Sequence, residues 1–75
     1  MKVFKLLAHI QKDSESGMYI GFFPSLPGAH TQAKTLDDLN IRMKEVLGLC
    51  LETMSEKERN EIPEFVGTQQ ISVAV

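Results

Sequence analysis

Residues 21–39, GFFPSLPGAHTQAKTLDDL, decide how this chain folds. Pro24 and Pro27 bracket a Ser-Leu pair, Gly28 follows at once, and Thr35 opens a helical pattern. Proline fixes φ and donates no backbone hydrogen bond, so Pro24 ends the strand that precedes it. Gly28, with no Cβ, can take a positive φ. The stretch is a stiff turn with two phenylalanines on one side and a helix on the other.

Reading back from the turn, MYIGFF alternates, with Ile20 and Phe22 on one face and Tyr19, Gly21 and Phe23 on the other. Asp13 to Gly17 supplies turn formers ending in a glycine. Ahead of them, residues 2–12, KVFKLLAHIQK, alternate again: Phe4, Leu6, Ala8 and Ile10 share one face, while Lys5, His9 and Gln11 lie on the other with Val3 and Leu7. Two alternating runs around a short polar loop predict a hairpin. Reading forward, Ala29 to Ala33 suits a short third strand. Thr35 fits a helix N-cap, and Asp37 and Asp38 in the first turn complement the positive end of the helix dipole. At helical spacing Leu36, Leu39, Met43, Val46, Leu47, Cys50 and Met54 form one stripe, opposite Glu45 and Glu52. Gly48 weakens that helix by up to about 1 kcal/mol relative to alanine. Residues 55–65, SEKERNEIPEF, are charged and aperiodic, and predict a surface connection. Residues 69–75, QQISVAV, alternate once more and predict a closing strand with Ile71, Val73 and Val75 on one face. The expected fold is α+β, ordered β-β-β-α-β: one helix packed on a small, mainly antiparallel sheet.

With 75 residues the chain makes one domain, which hides about 60% of its unfolded surface and has a stability of order 4–11 kcal/mol. Eight basic residues face ten acidic ones, for a formal charge of −2, and no basic run exceeds a single residue. A phosphate-binding domain is normally basic on one face, so direct nucleic-acid binding is not expected. Cys50 is the single cysteine, set among Leu47, Leu49, Leu51 and Met54, and reads as a small buried hydrophobe. Lys5 and His9 interrupt the first apolar stretch, so a signal peptide is not expected. No apolar run approaches the roughly 20 residues of a membrane span. A cytoplasmic protein is the expectation.

Catalytic chemistry finds little support. A metal-dependent nuclease needs carboxylates converging on a cation. Here Asp13 and Glu15 fall in a hairpin loop, and Asp37, Asp38, Glu45 and Glu52 along a helix, none beside another in mid-strand. His9 and His30 are the two histidines, and Ser25 lies within five residues of His30. No nucleophile is evidently paired with either as base. The glycines are scattered, with no phosphate loop. The expectation is no enzyme activity, no metal and no cofactor.

The turn itself admits two readings. In one it only steers the chain. In the other, Phe23, Pro24, Leu26, Pro27 and Gly28 shape a preordered apolar patch for a protein partner, since prolines present apolar surface already ordered before binding. On the second reading Leu26→Ala changes stability by no more than about 0.5 kcal/mol.

Gly17, Tyr19, a small Gly21, Phe22, Pro24, Leu26-Pro27-Gly28, Thr31 and the Thr35-Leu36 helix start are similar to the HicB antitoxin family, whose pattern runs G-x-Y-x-A-x-x-P-D-L-P-G-C-x-T-x-G-D-T-x-E-E-A. The likeness covers residues 2 to about 54 well and the closing strand loosely. Ser25 stands where the pattern has Asp, Ala29 for Cys, Ala33 for Gly and Lys34 for Asp; Asn40 and Ile41 exchange a polar and an apolar position. The resemblance implies a degenerate ribonuclease-H-like domain without catalysis, which binds and blocks a small HicA-type ribonuclease toxin. Members often carry a further DNA-binding domain; none is expected within this chain. The implied function is an antitoxin-like interaction module. The rival classes are a minimal hydrolase using His30 or the acidic loop, and an orphan domain that binds itself or a small ligand. Ile41 and Leu49, off the helix stripe, and the open sheet edges point to self-association as a homo-oligomer.

Overall fold

The structure is a computed structural model that describes residues 3–75. Three antiparallel strands, β1 (His9–Lys12), β2 (Tyr19–Phe22) and β3 (His30–Ala33), form one sheet in the order β1-β2-β3. Helix α1 (Leu36–Thr53) crosses β2 and β3, and a short helix α2 (Glu56–Asn60) follows. The expected α+β architecture, one helix on a small antiparallel sheet, is the one found.

The hairpin loop holds itself together. Asp13 N–H donates to the Met18 carbonyl (2.8 Å), and Gly17 N–H to the Asp13 carbonyl (2.9 Å) with Gly17 at φ +74°. Asp13 Oδ2 accepts from Ser16 N–H (2.9 Å) and Ser16 Oγ (2.7 Å). These bonds, the hydroxyl's first, hold the Asp13 carboxyl below its usual range. A depressed folded pKa means that the loop's stabilisation is present at neutral pH and lost as acid protonates the carboxylate.

Helix α1 begins where the sequence places it. Thr35 is extended, and its Oγ1 accepts from Asp38 N–H at 3.1 Å. Of the stripe, Leu39 and Met43 are buried, while Val46, Leu47, Cys50 and Met54 are half-buried against the core. Leu36 departs from expectation. It is the first residue of the helix and 52% exposed. Ile41 and Leu49 are exposed, as their off-stripe positions imply. Close approach of helix to sheet depends on Gly21: a Cβ built there would lie 2.7 Å from Met43 Sδ.

Three expectations need correction. The first strand was placed over residues 2–12, but β1 starts at His9. Lys2 lies outside the described residues. Residues 3–8 precede the strand because His9 pairs with Phe22, the last residue of β2, and the chain turns away at Pro24. Residues 55–65 are not a plain connection. Ser55 Oγ accepts from Glu58 N–H (3.1 Å) and Glu58 Oε1 from Ser55 N–H (3.0 Å), a capping box that starts α2. Arg59 Nε then donates to the Leu51 carbonyl at 2.7 Å, supplying a cation at the end of α1, whose last turn has no basic residue. Finally, residues 69–75 form no strand. A strand exists only through a ladder with a neighbour, and here the segment has extended clear of the body, exposed throughout.

Candidate partner-binding surface

Two overlapping β-turns connect β2 to β3. Leu26 N–H donates to the Phe23 carbonyl (3.0 Å), and Ala29 N–H to the Leu26 carbonyl (3.0 Å). Each turn has its proline in the second position, which suits the fixed φ. In the second turn Gly28 takes the third position with φ +94°, the geometry of a type II turn. Phe23 N–H to the Ala29 carbonyl (3.1 Å) closes the loop. Leu26 is thus the last corner of one turn and the first of the next.

That geometry divides the five residues expected to meet a partner. Phe23 and Leu26, the latter 9% exposed, are buried in one cluster with Ala29, Ala33, Leu39 and Met43. Their placement on an exposed apolar patch is therefore corrected: the double turn folds both side chains inward, where they make part of a core too small to spare them. Pro24, Pro27 and Gly28 remain on the surface.

Strand pairing shows what lies beside them. The face of β2 that carries Gly21 meets α1, so Ile20 and Phe22 point the other way. Phe22 pairs with His9 on one side and His30 on the other; Ile20 pairs with Gln11 and Gln32. The His9 and Phe22 rings are 4.9 Å apart, tilted at 40°. The two histidines, His9 and His30, thus flank a half-buried aromatic ring on this outer face. Among the described residues no three His, Cys, Asp or Glu side chains are grouped to hold a metal. The His9–Phe22–His30 row ends at the proline turn, since Phe22 and His30 lead into and out of it. Alternation had separated Ile20 and Phe22 from their neighbours, but only the Gly21–Met43 contact tells which face the helix leaves open.

Relatives match along most of this fold. The chain is 50% identical over 64 residues to a UPF0150 protein of Archaeoglobus fulgidus, covering 85% of this chain and 87% of that one. It belongs to the UPF0150 family. A UPF0150 protein of Synechocystis sp. is 41% identical over 64 residues (85% of this chain, 87% of the relative). One of Thermotoga maritima is 35% identical to this UPF0150 chain over 72 residues (96% and 91%). These names state no activity or partner. No family model matches the UPF0150 chain, and no solved structure does. No helix among its described residues is long and apolar enough to cross a membrane.

Proposed function

We propose that this chain is an antitoxin-like interaction module that neutralises a small HicA-type RNA-cleaving toxin by covering its active surface. The reading rests on the sequence resemblance over residues 2 to about 54. The observation that carries it is the outer sheet face that α1 leaves open: Ile20 and Phe22, both half-buried, stand between His9, His30, Gln11 and Gln32, next to a turn held rigid by Pro24 and Pro27. A half-buried aromatic within a polar frame is the usual make-up of a binding hot spot. The turn beside it is already held by its own backbone hydrogen bonds, so a partner meets little ordering cost there. A formal charge of −2 favours encounter with a basic, RNA-binding partner over RNA itself.

A pull-down from the native host with the tagged full chain should recover a short basic protein. The purified chain alone should leave single- and double-stranded RNA and DNA uncut in Mg²⁺ or Mn²⁺. Recovery of no basic partner would contradict the proposal. So would metal-dependent cleavage that disappears when Asp13 or His30 is replaced.

A further inference from the structure

The sheet has two edges, and they are not alike. On β3, the Gln32 carbonyl is taken by Arg42 Nη1 at 3.0 Å, a guanidinium that reaches over from α1. On β1, all four residues are exposed. The Asp13–Met18 bond fixes the alternation of the β1–β2 ladder, so the N–H and C=O groups of Ile10 and Lys12 are directed away from β2. Ile10 lies on the helix side of the sheet, opposite Gly21, yet is 50% exposed because α1 is seated on β2 and β3. An open edge with an uncovered apolar residue beside it is a place for another strand.

The chain carries a segment with the matching pattern. Residues 69–75 alternate, with Ile71 (71% exposed) and Val73 (77% exposed) on one face together with Val75. Gln70, Ser72 and Ala74 fall on the other face. Ile62 is the last residue packed against the core, and from Pro63 onward every residue is exposed. The chain as a whole is correspondingly open. Its surface is 6315 Å², against about 4,600 Å² for a compact chain of this mass. Its radius of gyration is 14.3 Å, against about 11 Å. The surplus of roughly 1,700 Å² is ample for one side of a stable dimer, which buries about 800 Å² per partner.

We infer that two copies exchange these segments: residues 69–75 of each add as a strand to the β1 edge of the other, with Ile71, Val73 and Val75 beside Ile10 on the helix side. One segment and one edge per copy give a two-fold arrangement that closes on itself. The second copy is the occupant because the segment leaves its own body after Ile62 rather than folding back on β1. The exchange uses the β1 edge and leaves the outer sheet face free, so it stands independently of the toxin-binding proposal.

The test uses the full chain without any partner. Light scattering at micromolar concentration should give twice the 8.4 kDa chain mass. Val73→Asp changes a side chain that the single-chain body does not bury, so it should keep the helical circular dichroism while the mass falls to that of one chain. Amides 71–75 should exchange slowly in the native protein and fast in the variant. In a mixture of two differently labelled copies, contacts between residues 71–75 and β1 should appear across the labels. A monomeric native chain overturns the inference, whether its segment is free or folded on its own β1. A dimer that survives Val73→Asp, fast exchange at 71–75 in the native protein, or contacts confined within one label overturns it equally.

Discussion

Leu26→Ala will lower stability by about 2–4 kcal/mol, the range for truncating a buried leucine. Against a total of order 4–11 kcal/mol this is a large share, and the melting temperature should fall by at least about 10 °C. Leu26 touches a core whose buried members are Phe23, Ala29, Ala33, Leu39 and Met43. Two of these are alanines, so few side chains are long enough to collapse into the space left. Thermal unfolding followed by circular dichroism measures the effect. A fall of only a degree or two would restore Leu26 to the surface, where the sequence reading had it. Within the folded fraction, affinity for a partner at the outer sheet face should be unchanged, since Leu26 points away from it.

Gly28→Val should lower stability by about 1–3 kcal/mol, through the backbone alone. A Cβ at this position would meet nothing within 4 Å, so no clash contributes. The strain comes from φ +94°, which a β-branched residue scarcely tolerates. Gly28→Asn should be milder, because asparagine accepts positive φ more readily. Denaturant titration of the two variants separates the explanations. Equal losses for Val and Asn would mean that tolerance of a positive φ does not set the requirement.

What could be read from the residues follows a simple division. Features set by bonds between near neighbours were legible: the Thr35 cap, the Gly17 and Gly28 turns, the end of β2 at Pro24 and the stripe of Leu39 and Met43. The Ser55–Glu58 capping box belonged to the same class and was overlooked, because the charged run from Ser55 to Glu64 has no apolar period to announce a helix. Features that need a distant partner were not legible. Alternation gave residues 69–75 the capacity to be a strand but named no neighbour. Phe23 and Leu26 stand beside prolines that favour a surface turn, and only their packing with Ala29, Ala33, Leu39 and Met43 shows that both side chains face inward. The outer face was half legible: its members were separable by period two, its openness was not.

The direct test of the proposed function is a titration of RNA cleavage. A HicA-type toxin recovered with this chain is mixed with labelled RNA and increasing amounts of the purified protein. Masking of the toxin's active surface predicts that cleavage falls in proportion to added protein and vanishes near molar equivalence. Cleavage that continues undiminished at large molar excess of the chain would contradict the account.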